Sequence, residues 1–245
     1  MKNKFRIPQI FFFILALLLI HSCKKTKDNF IKDIDGNVYT SVKIGTQGWL
    51  VENLKTTKYL NGDLIGTTTT ATLDITSETE PKYQWAYDGN ENNVPTYGRL
   101  YTWFTITDSR GVCPTGWHVP TDAEWTILTD YLTNNGYGYG GSGDNIAKSM
   151  AATSGWTTVT TVGTIGNDQA SNNSSGFTAL PSGGREFTGS FYSIGSGCFW
   201  WSSLESSPLG AYYRYMRFND FSVNILGNAK KVGFSVRCLK DNKSG

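Results

Sequence analysis

Chemistry in this chain would have to come from few side chains. Four cysteines (Cys23, Cys113, Cys198, Cys238) and two histidines (His21, His118) are spread over 245 residues. The three later cysteines lack the paired spacing of a structural zinc site, and two histidines cannot make a His-rich one, so no metal and no cofactor are expected. A Ser-His-Asp or Cys-His system would have to use His118 alone once His21 leaves with the N-terminal segment described below. His118 stands between Trp117 and Val119, just ahead of a helix start, a setting that suits a packed, hydrogen-bonded imidazole. Two strings invite a cation reading. Asp33-x-Asp35-Gly36-Asn37 opens like an EF-hand loop, but Ile44 stands where the bidentate Glu belongs. Asp88 to Asn93 (DGNENN) offers oxygen ligands, and a solvated turn is the preferred reading. Binding candidates are aromatic and cationic. Trp200 and Trp201 are adjacent on an expected strand and so face opposite sides. One is expected in the core, and Trp201 is taken as the exposed platform for a sugar ring or a partner. Arg185, Tyr213, Arg214 and Arg217 are expected nearby, and Arg and Tyr are enriched at binding hot spots. Plain solvation is the competing reading of all of them.

The N-terminus carries a separate signal. Lys2, Lys4 and Arg6 precede an unbroken apolar run from Ile10 to Ile20. That run is too short to span a bilayer and has the length of a signal-peptide core. Ser22-Cys23 then follows as in the lipobox of bacterial lipoproteins, with His21 an unusual residue inside it. Residues 1–22 are therefore expected to be a cleaved signal, Cys23 the lipidated residue, and 23–29 a polar tether. Several acyl chains make such attachment stable, at ~0.8 kcal/mol per buried methylene. Lys24 follows the cysteine where an Asp would suggest inner-membrane retention, so the outer membrane is the expected location, on its periplasmic or cell-surface face. Without Lys2, Lys4 and Arg6, the 22 basic residues become 19 against 20 acidic ones. A near-neutral chain gives no reason to expect a nucleic-acid partner.

About 220 residues remain, enough for one domain. Asp35-Gly36 reads as a hairpin turn between short strands, and Gln47 to Leu50 as another strand. Residues 61–81 and 157–176 read as loops, the second long and exposed. Tyr97 to Ile106 is read as a buried helix. A firmer helix follows Pro120: Thr121 and Glu124 form a capping box, Trp125, Leu128 and Leu132 share a face, and Asn134-Asn135-Gly136 ends it. A shorter helix is expected near 145–152. Strands are expected at 198–203, 211–218 and 231–239, the last with Val232, Phe234, Val236 and Cys238 on one inward face.

Six strings in order carry a family resemblance: DIDGNVYTSVKIGTQGWLVENLKTTKY (33–59), YGRLYTW (97–103), CPTGWHVPTDAEW (113–125), SGFTALPSGGR (175–185), WWSS (200–203) and GFSVRCLKD (233–241). Together they resemble the Fibrobacter succinogenes major paralogous domain family over about 30–241. Its members are often lipoproteins of Bacteroidetes-type bacteria. The family is distantly similar to the C-type lectin-like fold and its formylglycine-generating-enzyme branch. The resemblance implies a single α+β domain with two main helices, short twisted antiparallel sheets and long irregular loops. It does not carry activity over. The enzyme branch uses a close cysteine pair near its final strands, and Cys198 stands alone there. Calcium lectins use two loops; Phe218-Asn219-Asp220 faintly matches one, and Ser207-Pro208-Leu209 lacks the acid and amide of the other.

With Cys23 lipidated, three cysteines allow three pairings. Cys113 precedes the helix entry, Cys238 lies on the inward face of the last strand, and the lectin-like resemblance ties such regions together. Cys113–Cys238 is therefore expected, with Cys198–Cys238 the rival and Cys198 a buried free thiol. The functional expectation is a non-catalytic, lipid-anchored envelope protein binding a glycan or protein through its loop face. The alternatives are a structural or accessory subunit of a bacterial surface assembly, and an enzyme of uncharacterised kind.

Overall fold

A computed structural model describes residues 30–141 and 143–242. The expected signal, Cys23 and the tether lie outside them. Strands β1 (Ile31–Lys32) and β2 (Val38–Tyr39) form the expected hairpin around Gly36, and β3 (Ser41–Ile44) pairs with β4 (Gln47–Leu50). β5 (Gln84–Trp85) pairs with β6 (Leu100–Tyr101), which lies between two single-turn helices, α1 (Val94–Tyr97) and α2 (Trp103–Ile106). β7 (Trp117–His118) leads into α3 (Asp122–Asn134), and the short α4 (Ala147–Met150) follows. The last third holds β8 (Ser182–Arg185), β9 (Phe191–Ile194), β10 (Gly197–Ser207), β11 (Gly210–Arg217), β12 (Asn224–Ala229) and β13 (Leu239–Lys240). One sheet has the order β12-β11-β10-β8-β9, another β3-β4-β13-β7. All their pairs are antiparallel except β8 with β10, which is parallel and departs from the all-antiparallel expectation. The class is mixed α and β, dominated by sheet.

The capping box forms as read. Thr121 Oγ1 accepts from the Glu124 amide, and the Glu124 carboxylate accepts from the Thr121 amide at 2.8 Å. Trp125, Leu128 and Leu132 are buried, with Trp125 4.7 Å from the Trp49 ring. Only α3 is a long helix among the described residues, so the second main helix is a correction. Residues 97–106 do not form it because Gly98 adopts φ 75°. A Cβ there would meet Asn53 Cβ at 2.7 Å and the Leu54 carbonyl at 2.8 Å, so the chain turns out of helix and pairs Leu100 and Tyr101 with β5.

β10 divides the core. Phe199 and Trp201 pack on one side with Tyr101, Val232, Phe234 and Val236; Cys198 and Trp200 pack on the other with Trp49, Trp125 and Phe177. The chain from 232 to 239 threads between these layers and is buried throughout. Its expected continuous strand is reduced to β13 and single bridges from Gly233, Phe234 and Ser235 to Arg185, Tyr101 and Trp200, because three different segments flank it. Val232, Phe234, Val236 and Cys238 are inward as expected, yet so is Arg237 on the other face. Arg237 has no carboxylate bonded to it. It donates to the carbonyls of Leu50 (3.1 Å) and Phe177 (2.7 Å) and to Asn53 Oδ1 (3.2 and 3.0 Å), and it lies 4.5 Å from the Phe177 ring. Burial pushes it down to about 9, still cationic at neutral pH.

Cys113 and Cys238 form a disulfide, with Cα atoms 6.0 Å apart, and Cys198 is a buried free thiol, both as expected. Closing a loop of 125 residues stabilises the fold by ~5 kcal/mol in the chain-entropy model. The segment 157–176 is irregular as read, but not uniformly exposed. Thr164, Ile165 and Asn172 are buried because the Lys148 ammonium takes the carbonyls of Asn167 (2.5 Å) and Asp168 (3.1 Å) and Asn172 Oδ1 (2.8 Å).

Arg237→Ala is expected to cost ~3–5 kcal/mol, because several buried acceptors lose their donor together. Arg237→Lys should recover less than half of that, since an ammonium cannot span the same fork of acceptors. Urea denaturation of both variants measures it; a loss under ~1 kcal/mol for the alanine variant would contradict the cage.

Candidate functional site

The five-stranded sheet positions a face of tyrosines. In register, Phe199 lies opposite Tyr215, and Trp201 opposite Tyr213. Period two then puts Tyr213, Tyr215 and Arg217 on one face of β11 and Arg214 on the other. Phe234 covers the inner end of this face, 4.7 Å from the rings of both Trp201 and Tyr213. Beyond that lid the aromatic surface opens. Tyr192 on β9 stands 5.4 Å from Phe199, and Tyr215 stands 5.6 Å from Tyr213. Tyr192 and Tyr215 are half-buried, and Arg217 is exposed with its guanidinium 5.4 Å from the Tyr215 ring. Glu186, in the turn between β8 and β9, is half-buried, and burial pushes its carboxyl up. Burial raises Tyr192 and Tyr213 too, and the Glu186 carboxylate adds to both shifts.

The side chains of Tyr192, Tyr213, Tyr215, Glu186 and Arg217 have no hydrogen-bonding partner among the described residues. None of the three hydroxyls is sealed from solvent. The face therefore presents three hydroxyls that donate and accept, one carboxyl acceptor and one guanidinium donor around an aromatic floor. That set suits a ligand with many hydroxyls and an apolar ring face, or a polar peptide. Among the described residues no group of three His, Cys, Asp or Glu side chains is placed to hold a metal ion.

Three of the five binding candidates are corrected by burial. Trp201 is not an exposed platform: it is fully buried, and its indole N–H donates to the Tyr101 carbonyl at 2.8 Å. Trp200, on the opposite side, is equally buried and donates to Asn53 Oδ1 at 2.9 Å, because both faces of β10 are covered. Arg185 is inside, donating to the carbonyls of Ala71 (2.9 Å), Leu73 (2.6 Å) and Glu186 (3.0 Å), with Trp85 4.0 Å beneath its guanidinium. Arg214 clamps α3 onto β11 through the Asp122 carboxylate at 2.7 Å and Thr126 Oγ1 at 3.0 Å. Arg217 reaches the open face, whereas Tyr213 is buried beneath it with its hydroxyl not sealed from solvent. Tyr192, Tyr215 and Glu186 escaped the sequence reading. The available signal was alternation in AYYRYMRF (211–218), which separates Tyr213, Tyr215 and Arg217 from Arg214.

The remaining motifs resolve into structure. Asp220 accepts from the Arg217 amide and Asn224 Nδ2, so Asn219-Asp220 is a turn. Glu91 of the DGNENN loop is paired with Arg99. His118 is half-exposed, not packed in the core. Its Nδ1 meets Asp241 Oδ1 at 2.7 Å and its Nε2 meets Glu124 Oε1 at 2.9 Å. Burial alone would lower its pKa; the two carboxylate hydrogen bonds outweigh that and raise it. The hydroxyl bonded to Glu124 is that of Thr121, already committed to the helix cap. The trio ties the chain end to the start of α3.

The family model described as the Fibrobacter succinogenes major domain matches residues 42–240. The chain belongs to that family. The matched span of this Fibrobacter succinogenes major domain runs from β3 to β13, and so includes the tyrosine face, the disulfide and Arg237. No curated protein and no solved structure matches the chain.

A histidine whose folded pKa is raised stabilises most below its unfolded value of ~6.5 and loses that contribution as pH rises through the folded value. The melting temperature of wild type minus that of His118→Gln should therefore be largest near pH 6 and shrink toward pH 9. A difference that stays constant across that range contradicts the paired imidazolium.

Proposed function

We propose that this chain is a non-catalytic, lipid-anchored cell-envelope protein that binds a glycan or protein ligand through the tyrosine face of its five-stranded sheet. The observation that carries the reading is the set of unpartnered polar groups on Tyr192, Tyr213, Tyr215, Glu186 and Arg217 around an aromatic floor. Aromatic rings bordered by free hydroxyls supply stacking area and hydrogen bonds together, which is what a sugar or a polar peptide requires. A distant C-type lectin-like ancestry fits the capped α3, the largely antiparallel sheets and the disulfide between the helix entry and the last strand. Fold likeness says nothing further about activity.

Anchoring rests on the sequence: the cationic start, the short apolar run and Ser22-Cys23. That signal supports attachment to the outer membrane through lipid on Cys23. Accessory membership of a surface assembly is the second reading, favoured by edge strand β12, which exposes Ile225 and Leu226.

Arg217→Ala and Tyr215→Ala are each expected to weaken ligand binding about tenfold, or ~1.4 kcal/mol, with melting temperatures little changed for the exposed arginine. A glycan array probed with the labelled protein reads this, with a peptide array beside it; undiminished binding in both variants removes the site. Cys23→Ala is expected to abolish metabolic labelling by a fatty-acid analogue, and equal labelling of mutant and wild type would exclude the lipoprotein assignment.

A further inference from the structure

The four-stranded sheet carries a second candidate site, independent of the tyrosine face. Its registers align one row across all four strands. Lys43 on β3 lies opposite Gly48 on β4, Trp49 lies opposite Leu239, and Lys240 on β13 lies opposite Trp117 on β7. Trp49 and Leu239 are buried, so the alternate row Lys43-Gly48-Lys240-Trp117 lies on the other face of the sheet, where Trp117 also packs against the edge of the other core layer. Lys43 and Lys240 are exposed, and Trp117 is half-buried. This row lines a groove of about 320 Å³ together with Ser41 and Thr46.

Glycine in the middle of the row makes the trough. A Cβ at Gly48 would meet the Lys240 chain at 3.3 and 3.5 Å, so the lysine stem lies across the bare strand. The two lysines flank β4 from strands ~9.5 Å apart, twice the strand spacing. No acidic residue lines the groove. Neither ammonium, nor the Trp117 indole N–H, has a hydrogen-bonding partner among the described residues. Nearby carboxylates are engaged elsewhere: Glu52 with Thr40, and Asp241 with His118.

We infer that this groove binds an acidic polysaccharide, with a uronate-type carboxylate held between Lys43 and Lys240 and its sugar ring against Trp117. The donors explain the charge, since two ammonium groups and an indole N–H offer nothing to a cation. The aromatic wall explains the ring, and the trough at Gly48 admits it. A simple polyanion would use the lysines and not the tryptophan.

Affinity electrophoresis of the detergent-solubilised full chain tests this, with polygalacturonate in the gel, dextran as the neutral polymer and polyacrylate as a polyanion without sugar rings. Polygalacturonate is expected to retard the protein at least tenfold more strongly than dextran. The double variant Lys43→Glu/Lys240→Glu should abolish that, and Trp117→Ala should reduce it about fivefold. Trp117 also packs on the core, so Gly48→Val, which fills the trough without touching the indole, should give the same loss in a folded protein. Equal retardation by dextran and polygalacturonate overturns the inference, as does an unaffected lysine double variant. Equal retardation by polyacrylate with Gly48→Val unaffected also overturns it, since the contact is then charge alone. Binding to anionic lipid vesicles in place of polygalacturonate overturns it in favour of a membrane surface.

Discussion

A guanidinium without a bonded carboxylate sits where the two halves of the core meet. Arg237 is surrounded by the Leu50 and Phe177 carbonyls, the Asn53 side chain and the Phe177 ring. Burying an unpaired charge is expensive, and only a complete set of acceptors makes it tolerable. Those acceptors come from the β4 end, the segment after it and the loop before β8. All of them are needed to satisfy the one guanidinium. The same solution recurs at Arg185, whose carbonyl acceptors include those of the 71–73 loop, and at Lys148, which gathers 164–172. Long stretches of this chain have no ladder or helix to order them. Cations drawing backbone carbonyls inward do that instead, and they satisfy groups that a buried loop would otherwise leave unpaired.

The open surfaces follow from what this arrangement seals. β10 is covered on both sides, so its tryptophans hold the layers together through Asn53 and the Tyr101 carbonyl and are closed to a ligand. Phe234 caps the inner end of the tyrosine face, which leaves the outer rings of β9 and β11 open. The four-stranded sheet turns Trp49 and Leu239 inward and the Lys43-Trp117 row outward. The disulfide holds Cys238 immediately before β13, so it also keeps Lys240 beside Trp117.

Local chemistry was legible in the sequence, and distant chemistry was not. The capping box of α3, the Asp35-Gly36 hairpin, the inward alternation of Val232, Phe234 and Val236, and the choice of Cys113 for Cys238 all rest on neighbouring residues or on the family resemblance. Trp201 and Arg185 failed because exposure is decided by segments far along the chain: Phe234 and Tyr101 for the tryptophan, Ala71 and Leu73 for the arginine. An arginine in a strand reads as surface because carboxylates are the expected partner of a buried one, and carbonyl cages leave no trace in composition. Tyr213 and Arg214 are adjacent on β11 and so face apart, as the alternation of AYYRYMRF implies. Residues 97–106 do not form one helix because Gly98 takes a positive φ with its backbone close against Asn53 and Leu54.

The Nε–H signals of Arg237 and Arg217 in a ¹⁵N-labelled sample test the carbonyl cage most directly. Hydrogen exchange at Arg237 Nε should be slow enough to need large-scale opening of the domain, while Arg217 Nε exchanges as freely as in a short peptide. Equally fast exchange at the two sites would mean that Arg237 is solvated, and the organisation of the core around it would be wrong.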